Sequence, residues 1–179
     1  MKPNGRALNQ VVVPHEERAM SETPKYSAIE IERRWLVDLA AVGDLSSIAF
    51  REIDDLYVSG SRLRLRKVTD PNGGVIFKFG KKYGKRSPAS EAVANLYLTE
   101  AEYRQLATLP GAVTLKRRYT VAGGALDVYH QPRSGLAIFE VEFDDEASAQ
   151  AYRPAHFVTR EITSEVEFNG FSVAEARAG

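Results

Sequence analysis

Residues 29–37 read Ile29-Glu30-Ile31-Glu32-Arg33-Arg34-Trp35-Leu36-Val37, and their alternation decides the fold. Successive side chains of a β-strand point to opposite faces. Glu30, Glu32 and Arg34 therefore share one face, while Ile31, Trp35 and Val37 share the other. Further segments repeat the arrangement. Arg62, Arg64 and Arg66 oppose Leu63 and Leu65, and Lys78 stands between Phe77 and Phe79. Lys116 and Arg118 oppose Leu115 and Tyr119, with Arg117 interrupting the apolar face. Glu140 and Glu142 oppose Phe139, Val141 and Phe143.

A sheet with one solvated face would account for any single strand of this kind. Solvated faces, however, usually mix Thr, Ser, Gln and Lys. These collect Glu on some strands and Arg or Lys on others. A lattice of exposed ion pairs gains little, since each exposed pair adds only ~0–1 kcal/mol. The pattern predicts a closed barrel whose charged faces line a wet lumen and whose apolar faces lie outside under helices. Carboxylates suit hard divalent cations and Arg/Lys suit phosphate oxygens, so the lumen is expected to hold a metal-bound polyphosphate.

Turn signals divide the chain into hairpins. Pro71-Asn72-Gly73-Gly74 is expected to join a strand ending near Val68 to one at Val75–Phe79. Gly123-Gly124 does the same between Val113–Val121 and Ala125–Tyr129, and Pro132-Arg133-Ser134-Gly135 precedes Leu136–Phe143. Such residues supply the positive φ that tight hairpins need, and successive hairpins make an antiparallel meander. Helices are few. Thr99 with Glu102 predicts a capping box ahead of a helix that ends at Pro110-Gly111. Asp144-Asp145 predicts a second helix through Tyr152, and Ser172 with Glu175 a short terminal one. Leu39–Phe50 reads as short helical turns.

The 179 residues suffice for one well-buried core, expected over 28–179 behind a flexible tail of residues 1–27. Lys+Arg and Asp+Glu both number 24, which argues against a general nucleic-acid or anionic-membrane binder. There are no cysteines, so disulfides, thiolate zinc sites and cysteine nucleophiles are excluded. The three histidines show no metal-ligand spacing. No membrane-spanning run or signal-peptide core is present, and the expected location is the cytoplasm.

With these segments in place, Glu30-Ile31-Glu32-Arg33-Arg34 resembles the ExExK signature of the CYTH family, the triphosphate tunnel metalloenzymes. Arg62–Arg66 resembles the family's RxRxR strand, Phe77-Lys78-Phe79 its central lysine strand, and Lys116–Tyr119 its KxRY-like segment. Leu126-Asp127-Val128-Tyr129 is similar to the strand with an inward Asp, Ile138–Phe143 to the EVEF strand, and Glu161-Ile162-Thr163 to the EVT segment. The resemblance implies an eight-stranded antiparallel tunnel, mainly β with a few short helices packed outside. It also implies hydrolysis of inorganic or organic triphosphates with Mg2+ or Mn2+. Its implied metal-side carboxylates are Glu30, Glu32, Glu140, Glu142 and Glu161. Arg62, Arg64, Arg66, Lys78, Lys116 and Arg118 would clamp phosphate, Arg34 and Glu32 would be catalytic, and Glu91 and Asp127 would complete the tunnel.

Two positions depart from the family pattern. Arg34 stands where Lys is usual, and arginine stays charged where a buried lysine can lose its proton. The RxExE strand aligns with Ala89-Ser90-Glu91-Ala92-Val93, where Ala89 and Val93 replace charged residues. A diverged, non-catalytic polyphosphate or nucleotide binder is therefore an alternative, with adenylate cyclase and a purely structural salt-bridged barrel behind it. The basic stretch Lys81–Arg86 reads as a solvated loop, with guidance of anions to the mouth as its other reading. The expected partner is a small-molecule triphosphate, without nucleic acid or membrane, bound by a monomer or homodimer.

Overall fold

The alternating segments form strands, and the Gly- and Pro-rich stretches turn the chain between them. The computed structural model describes residues 23–176, so most of the expected tail, residues 1–22, lies outside the described residues. Chain order is β1 (Ala28–Val37), α1 (Leu39–Val42), β2 (Phe50–Val58), β3 (Leu63–Thr69), β4 (Val75–Lys85) and β5 (Ser90–Leu98). Then follow α2 (Glu100–Leu106), β6 (Gly111–Val121), β7 (Gly124–Gln131), β8 (Ala137–Phe143), α3 (Glu146–Ala151), β9 (Val158–Glu161), a 3-10 turn (Val166–Phe168) and α4 (Gly170–Glu175).

Each strand pairs antiparallel with its neighbours in the order β5-β4-β3-β2-β6-β7-β8-β1, and β1 returns to β5. Eight strands thus close a barrel, and β9 is an extra strand outside the ring. The closure is made by splitting one edge of β1. Ala28–Ile31 pair with β5, and Trp35–Val37 pair with β9. Between them the Glu32 N–H donates to the Ala89 carbonyl and the Arg34 carbonyl accepts from the Ile162 N–H.

The apolar faces point outward, as alternation requires. Trp35, Tyr119, Leu126, Phe139, Val141 and Phe157 form the main core, covered by residues of α1, the following loop and Tyr152. Full burial of side chains of this size stabilises by about 1.5–3 kcal/mol each. A second cluster fills one end of the barrel from inside: Tyr129 and Ile138 meet Ile162, Phe168 and Val173, so the 3-10 turn and α4 plug that end.

Local signals set the helices. Thr99 and Glu102 form the expected capping box on α2, and Asp145 caps α3 through the Ser148 N–H. The terminal helix differs: Asn169 is its cap, accepting from the Ser172 N–H, so it starts ahead of the expected Ser172–Glu175 box. Of Leu39–Phe50, Leu39–Val42 alone is helical and Phe50 opens β2, a strand with no counterpart among the expected ones. Lys81–Lys85, read as loop, continue β4. Among the described residues no helix is long and apolar enough to cross a membrane.

Candidate functional site: a charged cavity inside the barrel

The inward faces of the strands enclose a cavity of about 760 Å³. Ten Lys/Arg and six Glu line it, a positive excess that favours a polyanion. Eleven of the expected site residues share this lining: Glu30, Glu32, Arg34, Arg62, Arg64, Arg66, Glu91, Lys116, Arg118, Glu140 and Glu142.

The charges sort into a basic network and a carboxylate wall. In the network, Arg118 grips Asp127 with both ends of its guanidinium at 2.6 Å and donates to Glu140 at 2.7 Å. Lys116 caps the same Asp127, whose side chain is fully buried. Glu140 also accepts from Arg34 Nε at 3.1 Å, and Arg34 Nη2 donates to the Phe168 carbonyl at 2.7 Å. Arg34 thus ties β1 to β8 and to the plug. Beside the network, Arg66 forms a fork with buried Asp55 at 2.6 and 2.7 Å, with Arg64 3.8 Å away. Among the described residues Arg62 has no carboxylate within 4.0 Å and lines the cavity with its charge unpaired.

The carboxylate wall comes from neighbouring strands. Glu30 stands opposite Glu91 across β1–β5, and Glu32 opposite Glu142 across β1–β8. Burial pushes the Glu30 carboxyl above the usual range against the pull of Lys82, and Glu32 and Glu142 add to the rise. Glu140 behaves oppositely. Burial alone would raise it, yet Arg118, Lys116 and Arg34 hold it well below the usual carboxylate range. For Arg34, burial works to lower the pKa, but Glu140 and Glu32 hold it above the ordinary guanidinium value. Arg34 stays a cation.

Three expected site residues lie outside the lining. Asp127 is behind the wall, orienting Lys116 and Arg118. Lys78 shares the inward parity but sits further along β4, its Nζ 5.1 Å from the centre of the Tyr97 ring. Glu161 is on β9, outside the ring, forked with Arg33 at 2.9 and 2.6 Å. Glu140, expected among metal-side carboxylates, lies in the lining between the guanidiniums of Arg34 and Arg118.

No protein-family model matches the chain, and no curated protein matches it. Solved structures do. The crystal structure of the inorganic triphosphatase NE1496 aligns over 84% of this chain and 97% of its own, with 23% identity and a TM-score of 0.54. A second structure, of the hypothetical protein NE1496, aligns over 83% and 99% with the same identity and TM-score. This chain has the triphosphate-tunnel fold. The likeness is one of fold; the site rests on this chain's own residues.

Inside the tunnel, sequence reasoning missed three groups. Lys82 projects among Glu30, Glu32 and Glu91 at 3.3–3.8 Å. Asp55 anchors Arg66, and Tyr57, its hydroxyl pushed up to about 12 by burial and the Asp55 charge, meets Phe171 of α4 edge-on. Carrying the parity of Phe77-Lys78-Phe79 through Gly80 would have found Lys82. The oxygen-only donors of Glu30, Glu32, Glu91 and Glu142 fit a hard divalent cation. Among the described residues no three His, Asp or Glu side chains already close on one ion position.

Proposed function

We propose that this chain hydrolyses a triphosphate with the help of Mg2+ or Mn2+ bound at the carboxylate wall of the tunnel. The observation that carries the reading is the segregation of one cavity into a wall of Glu30, Glu32, Glu91 and Glu142 and a facing set of Arg and Lys. Phosphoryl transfer needs positioning and charge neutralisation more than covalent chemistry, which suits such a site.

Glu30, Glu32 and Glu142, with Glu91 beside them, would hold the metal. A metal there would neutralise phosphate charge and polarise the attacking water. Arg62 and Arg64 hold phosphate oxygens, since they are less tied to carboxylates than Arg66. Lys116 and Arg118 add charge from β6 but are held rigid by Asp127, which fixes their direction. In the reaction a water oxygen bonds to the terminal phosphorus as the bridging P–O bond breaks, and the water proton passes to a carboxylate or to solvent. Arg34 does not take that proton. Its guanidinium stays charged, holding Glu140 and the plug in register.

The test is phosphate release from tripolyphosphate, thiamine triphosphate and ATP, with Mg2+ or Mn2+ and with chelator. Release that the chelator abolishes is the expected result, and no turnover of any of the three overturns the reading. A second reading, a non-catalytic polyphosphate binder, draws on Val93 facing the cavity where a carboxylate would add to the wall. It expects thermal stabilisation by tripolyphosphate without phosphate release.

A further inference from the structure

Lys82 lies in the middle of the carboxylate wall. Its Nζ is 3.3 Å from Glu91 Oε2, 3.7 Å from Glu32 Oε1 and 3.8 Å from Glu30 Oε2. Among the described residues no other cation comes within 4.0 Å of any of these three carboxylates. Its position follows from β4, where Lys82 stands opposite Val93 just before the register shifts towards Lys85. The apolar Val93 leaves that side of the nest without a competing charge.

The distances say how the ammonium is held. A charge-assisted N–H···O bond closes to about 2.7–2.9 Å, and none of the three does. One cation is shared loosely by three anions, balancing their mutual repulsion without committing to any. Elsewhere in the tunnel the carboxylates are gripped: Asp127 by Arg118 at 2.6 Å, Asp55 by Arg66 at 2.6 Å. In the nest, Glu91 Oε1 accepts from the Gly84 N–H at 3.0 Å, while Oε2, like the Glu30 and Glu32 oxygens nearest Lys82, has no closer cation among the described residues; this is also the set suited to a hard metal ion.

We propose that Lys82 is a tethered cation that fills the Glu30–Glu32–Glu91 nest until a divalent metal takes its place. The inference rests on the metal-binding part of the proposed function. Metal and ammonium compete for the same oxygens, and a displaced Lys82 is free to turn to phosphate. Metal and triphosphate then assist each other's binding, a coupling that is reciprocal.

The experiment is calorimetric titration of the full chain with MnCl2, without substrate, for wild type, Lys82→Met and Lys85→Met. Lys85 lines the same cavity but has no carboxylate within 4.0 Å among the described residues, so its variant removes an equal charge without emptying the nest. Circular dichroism and melting establish that each variant folds, and Lys82→Gln replaces Lys82→Met if the latter does not. Removing the competitor is expected to tighten Mn2+ binding about tenfold in Lys82→Met, within the usual range of such couplings, and by no more than about threefold in Lys85→Met. Unchanged or weaker binding in Lys82→Met overturns the proposal, as does an equal gain in Lys85→Met. Turnover is read separately. Tighter Mn2+ binding without phosphate release would keep this inference and remove the triphosphatase reading, whereas turnover with unaltered affinity does the reverse. No Mn2+ binding by any of them overturns both.

Discussion

Arg34 and Glu140 are partners twice over: they stand opposite each other across β1 and β8, and Arg34 Nε donates to Glu140 Oε1 at 3.1 Å. The second arm of Arg34 reaches the Phe168 carbonyl of the plug. The residue where the tunnel family usually carries lysine is thus a three-way tie between two wall strands and the barrel's closed end.

That tie predicts different outcomes for two substitutions. Arg34→Ala leaves Glu140 and a backbone carbonyl buried with one partner fewer, a loss of about 3–5 kcal/mol for a broken buried pair. Arg34→Lys keeps the charge but cannot serve both acceptors, and is expected to cost about 1 kcal/mol, one net hydrogen bond. Urea unfolding separates them. Equal stability of the two variants would remove the structural role assigned to the guanidinium fork.

Acid unfolding follows from the buried carboxylates. Asp55 and Glu140 have folded pKa values below their ordinary values of 3.8 and 4.5 because Arg66 and Arg118 sit against them, outweighing the opposing effect of burial. Each binds fewer protons folded than unfolded, so its contribution is full above the unfolded value and is lost as pH falls below it. Glu30 opposes this, since its folded value is raised and its contribution fades as pH rises through that value. Asp54 is raised by its burial as well, but Asp55 and Glu140 are the more deeply enclosed and the more strongly displaced, so their effect dominates. The urea midpoint is expected to hold near neutrality and to fall once pH drops below 4.5, continuing below 3.8. Asp55→Asn should flatten that acid limb, measured as midpoint against pH, and an unaltered limb would show that Asp55 does not carry it.

Gly84 is required where the cavity wall bends. Its φ is +103°, and a Cβ there would lie 2.5 Å from Arg62 Nη1. Gly84→Ala adds backbone strain of about 1–3 kcal/mol and pushes aside a phosphate-side guanidinium. A charge-assisted contact of about 1.5 kcal/mol is roughly tenfold in affinity, so KM for tripolyphosphate should rise by about that factor while kcat changes little. A lower melting temperature with unchanged KM would mean that Arg62 does not touch substrate.

How much of this was legible in the sequence depends on what alternation can encode. Parity puts Glu30, Glu32, Arg64, Arg66, Lys116 and Arg118 on the charged faces of their strands, and the sorting of Glu from Arg and Lys between strands marks those faces as the lumen. The caps of α2 and α3 were equally readable, since Thr99 and Asp145 act on N–H groups three residues away. Lys82 stays hidden because the Gly- and Lys-rich stretch after Phe79 reads as loop, whereas β4 runs on to Lys85 and carries Lys82 on the same face as Lys78. Parity also cannot name partners. The fork between Arg33 and Glu161 joins residues 128 apart, and it holds Glu161 outside the ring. Asp55 was hidden because Glu52-Ile53-Asp54-Asp55 places acids on both faces of β2.

Glu140 and Glu142 illustrate the same limit and provide the sharpest separation of roles. They lie two residues apart on one face of β8, so alternation assigns them together. The structure divides them. Glu140 is clamped by Arg34 and Arg118, whereas Glu142 is exposed, faces Glu32 and makes no ion pair within 4.0 Å among the described residues. Glu140→Gln takes from Arg34 its carboxylate and from Arg118 one of two, an expected loss of about 3 kcal/mol in unfolding free energy. Glu142→Gln removes no buried partner, so its stability should stay within about 0.5 kcal/mol of wild type. On the proposed reading it also turns one metal-side carboxylate into a neutral amide with a single oxygen donor, and Mn2+ affinity should fall about tenfold, the loss of roughly 1.4 kcal/mol. The measurements are urea unfolding and Mn2+ titration of both variants. If Glu142→Gln leaves metal binding intact while Glu140→Gln abolishes it in a folded protein, the metal belongs on the basic side of the tunnel, and the carboxylate wall has been given the wrong role.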